Sequence, residues 1–92
     1  MEQIILDGRE FLDKETSHDY LSRQLGLADH YGRNLDALWD CLTTDFTPKR
    51  IVIRHPQAIS QQLGRYGVML LSLFSQLKRA NPSIVVVMAY QF

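Results

Sequence analysis

Ninety-two residues suffice for a single domain spanning 1–92 with one modest hydrophobic core, and 46% apolar against 22% charged residues excludes a disordered chain. Net charge is zero, but all ten acids and only four of the ten basic residues precede residue 46, so the first half carries −6 and the second +6. Two solvated faces or a docking surface of one sign both satisfy that division, and composition leaves both open.

Gln3–Leu6 is a short apolar run closed by Asp7-Gly8, which predicts a strand and a turn. Thr16, with Asp19 three residues on, is the expected N-cap of a first helix. Its apolar positions are Tyr20, Leu21 and Leu25, and Gly26 is its expected stop. Leu27–Arg33 reads as a loop, in which Gly32 is expected to supply a turn that a Cβ would resist. Asn34 then caps a central helix. Leu35, Leu38 and Leu42 are expected to be buried along one stripe, with Trp39 on its edge and Asp36 and Asp40 on the outward flank.

Pro48 opens a second strand, Arg50–Arg54, and His55-Pro56 breaks it ahead of a short helix, Gln57–Leu63. A longer helix over Tyr66–Ala80 has a broad apolar face that includes Met69, Leu70, Leu73, Phe74 and Leu77; Asn81-Pro82 ends it. Ser83–Ala89 is almost continuously β-branched and predicts a third strand covered on both faces. Helices long enough to serve as crossovers separate the strands. The expected fold is therefore α/β: a small three-stranded parallel sheet with right-handed connections, packed with three to four helices.

Nothing in the sequence argues for an enzyme. Cys41 lies near the core-facing side of the central helix and reads as a small buried residue rather than a nucleophile. His18, His30 and His55 are scattered without metal-ligand spacing, and Gly64 and Gly67 lack the strand–GxxxxGK–helix setting of a phosphate loop. Asp36 and Asp40 sit on adjacent turns without a converging loop, a poor divalent-cation site. Neither cofactor nor metal is expected. The lone cysteine excludes an internal disulfide and fits a reducing cytoplasm, and no leader pattern precedes the first strand. The longest apolar run, Ile84–Tyr90, is too short to cross a membrane. The cations of the second half form no single stripe and no aromatics interleave with them, so direct nucleic-acid binding is not expected; a weak RNA-binding module remains one alternative.

The acids of the central helix pose the sharper question. Carboxylates four residues apart repel each other by about 0.2–0.5 kcal/mol on a helix. Asp45 adds negative charge near the carboxyl end, where the helix dipole again disfavours it. The segment that carries them, HYGRNLDALWDCLTT, closely resembles the second-helix region of the barstar family, the bacterial inhibitors of the ribonuclease barnase. Tyr31, Gly32, Asn34 and the unbroken run Leu35–Thr43 meet the family's motif. Outside this segment the similarity is faint, although the order of elements agrees along the whole chain.

The resemblance implies a cytoplasmic inhibitor without catalytic activity, monomeric when free, that binds a basic microbial ribonuclease one to one and plugs its active site with the acidic helix. Carried over by position, Asp40 is the central anion with Asp36 beside it, and Gly32, Asn34, Leu35, Trp39 and Thr43 line the contact. The family has a tyrosine where His30 stands, Gly-Trp where Thr44-Asp45 stand, and an acid where Gln76 stands. These departures alter the rim of the expected site and leave open whether the partner is barnase itself or a different, related ribonuclease. A non-inhibitory module that docks the same helix on another basic protein is the second alternative.

Overall fold

Ile4 and Leu6 alternate with exposed neighbours along β1 (Glu2–Asp7), as a strand with one buried face must. The computed structural model describes residues 1–90 and extends that alternation across a sheet. Ile4 stands opposite Ile51 of β2 (Lys49–Arg54), and Ile51 opposite Val86 of β3 (Ile84–Ala89); Leu6, Ile53 and Met88 form the next row. All pairings are parallel, and the strands lie in the order β1-β2-β3. Helices α1 (Lys14–Leu25) and α2 (Leu35–Thr44) fill the first crossover, and α3 (Pro56–Leu63) and α4 (Arg65–Ala80) the second. The expected α/β fold, three parallel strands with four helices, is the one observed.

The buried apolar residues form one core on one face of the sheet. Phe11, Leu21, Leu38, Leu42, Ile59, Leu70, Phe74 and Leu77 pack on the Ile51–Ile53 face of the sheet and are closed to solvent. The opposite face carries Ile5, Val52, Val85 and Val87, none of which joins that core, and Ile5 and Val85 are exposed. The expectation that β3 is covered on both faces is thus corrected. Its β-branched run suits an edge strand through backbone preference and cross-strand packing, which need no second layer.

Three local readings also change. The N-cap of α1 is Asp13, whose Oδ1 accepts from the Thr16 amide at 2.7 Å, so Thr16 is inside the helix. A carboxylate at that point satisfies an orphan amide and faces the positive end of the helix dipole, which a threonine hydroxyl does less well. The buried stripe of α1 is His18, Leu21 and Leu25 rather than one led by Tyr20. On α4 the stripe is Leu70, Phe74 and Leu77; Met69, one position off it, is half exposed. Gly26 does stop α1, in the left-handed conformation at φ 63°.

Candidate protein interface

Local rules set α2 in place. Asn34 has extended backbone and its Oδ1 accepts from the Ala37 amide at 2.8 Å, an N-cap as expected. Leu38 and Leu42 anchor the helix in the core, whereas Leu35 is only partly buried, at the first turn where α2 leaves the core. The carboxyl end has no glycine stop. Asn81, fully buried at the end of α4, instead donates from Nδ2 to the carbonyls of Leu42 (2.8 Å) and Asp45 (2.7 Å). Anchored in the core by Leu38 and Leu42 and held at its carboxyl end by Asn81, the helix has little freedom to reorient. Cys41, expected to be buried, lies at the half-buried margin of the core.

Asp36 and Asp40 project from this helix into solvent, about 6 Å apart along its axis. Among the described residues neither carboxylate takes part in an ion pair. Beside them α2 and α4 diverge around an open cleft of about 440 Å³. Leu35, Asp36 and Trp39 line one wall, and Val68, Met69, Leu73 and Gln76 the other. The structure therefore brings Gln76, distant in sequence, to the same cleft as Asp36 and Trp39. The Gln76 Nε2 donates to Ser72 Oγ at 2.9 Å. The Thr43 and Thr44 hydroxyls donate to the carbonyls of Trp39 and Asp40, both at 2.7 Å, and so brace the last turn.

Asp45 follows α2 and is more firmly engaged. Its carboxylate accepts from Lys49 Nζ at 2.6 Å and from the Thr47 amide at 3.0 Å. The Lys49 ammonium first, and then the Thr47 amide, lower its pKa to about 2. The question of an acid after the helix has a local answer: Lys49 starts β2 on the buried face and needs this counter-charge.

The loop before α2 is tied down from three directions. Gly32 does not supply the left-handed turn; that conformation falls on Arg33, at φ 58°. What Gly32 permits is close approach, since a Cβ there would come within 3.1 Å of the Ala37 Cβ. The strained Arg33 is held by its own side chain, which pairs with Asp19 at 2.7 Å and donates to the Glu15 carbonyl at 3.1 Å. His30 is exposed at the outer bend. Tyr31 turns inward, and its hydroxyl lies 2.6 Å from Nδ1 of His18, whose Nε2 is 2.7 Å from the Tyr66 hydroxyl. Burial first, and the Arg33 charge second, hold the His18 imidazole below the ordinary histidine range. Sequence reading missed this relay. Its signal was there in the spacing of His18 with Leu21 and Leu25, which sets a polar ring on the core-facing stripe.

An acidic helix, a pinned loop and a neighbouring cleft form one continuous surface. The family described as "Barstar (barnase inhibitor)" matches residues 1–90 of the chain. The chain belongs to the barstar family. It is also 46% identical over 69 residues, 73% of this chain and 75% of the relative, to a Bacillus subtilis (strain 168) protein named "Putative ribonuclease inhibitor YrdF". No group of three His, Cys, Asp or Glu side chains among the described residues is arranged to hold a metal ion, and no helix there is long and apolar enough to cross a membrane.

Proposed function

We propose that the protein is a stoichiometric inhibitor of an extracellular or toxin-type microbial ribonuclease, occluding its active site with α2 and the loop before it. One observation carries this reading: Asp36 and Asp40 stand exposed without a cationic partner among the described residues, on a helix whose lead-in is held by Arg33 and whose carboxyl end is held by Asn81. A ribonuclease presents Arg, Lys and His side chains to the phosphates of its substrate. Carboxylates meet those groups in short, charge-assisted and often bidentate hydrogen bonds. Asp40 is the central anion and Asp36 flanks it towards the cleft. Gly32, Asn34, Leu35, Trp39 and Thr43 line the contact, and His30, Thr44, Asp45 and Gln76 form its rim. The repulsion between the acids on α2, a few tenths of a kcal/mol, is small against the ion pairs formed in the complex. Long-range attraction also speeds encounter, an effect for which barnase and barstar are the reference pair.

On this reading the protein is no enzyme and needs no cofactor. It acts in the cytoplasm as a monomer and protects its cell as an immunity protein does. The deciding assay adds the purified protein to barnase-like microbial ribonucleases and follows RNA cleavage. Activity should fall linearly to zero at one equivalent, and excess salt should weaken the complex. Binding to a ribonuclease that still cleaves RNA would instead identify a non-inhibitory module. A gel shift with single-stranded RNA, without inhibition, would favour the basic half as the working surface.

A further inference from the structure

His18 is closed to solvent in the middle of α1, yet its ring touches two hydroxyls on two other segments: Tyr31 of the loop before α2 and Tyr66 in the first turn of α4. A neutral imidazole has one N–H donor and one bare nitrogen acceptor. Burial decides which is which. Tyr31 is 7% exposed and its hydroxyl has no hydrogen-bond partner other than His18 among the described residues, so its proton must go to Nδ1. Nε2–H then donates to the Tyr66 hydroxyl, and Tyr66, which is only partly buried, can pass its own proton to water.

Protonation breaks this chain at one point. An imidazolium donates from both nitrogens, so Tyr31 has to turn its hydrogen away from Nδ1 and gives up the one hydrogen bond its hydroxyl makes among the described residues. Of the surrounding charges, Arg33 disfavours the cation more than Asp19 favours it. From α1, Lys14 lies over the Tyr66 ring at 4.5 Å; Glu15 lines the same cleft, and Asp19 is engaged by Arg33. From the loop, Arg33 adds positive charge, and from α4 the facing group is the neutral Tyr66. Half-buried Cys41 on α2 stands near Tyr31.

We infer that His18 is a positioning residue for the interface: when neutral it pins Tyr31, and with it the Gly32–Asn34 lead-in to α2, against Tyr66, and when protonated it releases that lead-in. What the loop binds rests on the inhibitor reading, but the coupling belongs to the free chain. The surface is then fully assembled near neutral pH and loosened by acid.

The experiment is NMR of the full chain in a His30→Tyr background, which removes the loop's own imidazole, from about pH 4.5 to about pH 8. Ring nitrogen shifts should show the Nε2–H tautomer of His18 at neutral pH. The amides of Gly32, Arg33 and Asn34 should move with the His18 midpoint, and that midpoint should lie below about 6.5. His18→Gln keeps a donor and an acceptor but cannot take a charge, and should make those amides indifferent to pH. Tyr31→Phe decides the matter if the glutamine variant does not fold: His18 should still titrate while the loop ceases to follow it. Loop amides that ignore the His18 midpoint, or follow it unchanged in Tyr31→Phe, would overturn the inference, as would an Nδ1–H tautomer. Every readout uses the free chain. A protein that inhibits no ribonuclease would therefore remove the inhibitor reading and leave this coupling standing or falling on its own data.

Discussion

Lys49 and Asp45 meet at 2.6 Å across the turn between α2 and β2, the lysine side chain 7% exposed and the carboxylate 42%. Asp45→Asn should leave the ammonium without its counter-charge and destabilise folding by about 1–3 kcal/mol; the open carboxylate end keeps the loss below that of a fully buried pair. The folded carboxylate sits at about 2 against an ordinary 3.8. Its contribution is thus complete above about 3.8 and is lost as pH falls towards 2. Asp7, lowered to about 2 chiefly by its hydrogen bond to Arg9, acts in the same window. Urea melts from about pH 2 to about pH 6 should show a shallower acid loss in Asp45→Asn than in the wild type.

Leu38→Ala tests the anchoring of the acidic helix. The side chain is fully buried between α2 and the rest of the core, and its truncation should reduce stability by about 2–5 kcal/mol. Chemical denaturation measures this directly. A change under about 1 kcal/mol would show that α2 is held by its ends alone.

Asp40→Ala should do the reverse, leaving the melting temperature nearly unchanged while weakening the complex. Barnase–barstar charge pairs set the scale, and the figure of about 2–5 kcal/mol is carried over from that complex. The salt dependence of the association rate should decrease with the same substitution. Inhibition constants unaffected by Asp40→Ala would show that another surface makes the contact.

His30→Tyr addresses the exposed bend of the loop. A histidine changes charge between about pH 5 and about pH 8, whereas a tyrosine stays neutral there. Against a cation-lined active site an imidazolium is repelled, so wild-type affinity should fall between about pH 7.5 and about pH 5.5. The tyrosine variant should lose part of that dependence and match or exceed the wild type at the acid end. Parallel pH curves for the two proteins would mean that His30 has no electrostatic part in binding.

The capped, amphipathic α2 was legible in the sequence because both of its signals are local: Asn34 at the cap and leucines at helical spacing. The three parallel strands followed from short apolar runs separated by helical crossovers. Relationships across space were not legible. Nothing in the β-branched run of β3 reports whether a second layer covers it. The choice of Asp13 over Thr16 as a cap depends on where the chain enters α1, and both residues are good caps by type. Lys49 lies outside the expected strand Arg50–Arg54, and only the fold reveals it as the start of β2, buried against Asp45. Gln76 was placed near the acidic helix by resemblance alone, since no periodicity links α4 to α2.

Each strand finds its partner only on the far side of a helical crossover, because every pairing in the sheet is parallel. Contacts so distant along the chain place this topology among the slower-folding small domains, with little gained until the chain has closed on itself. The acidic helix lies inside the first of those crossovers. At ten residues, α2 is shorter than the length at which an isolated helix holds its shape in water. A peptide copied from α2 should therefore be unstructured and bind poorly. A single protease cut in either crossover should abolish docking all at once, since the geometry of the acids is a property of the closed chain and of no segment within it.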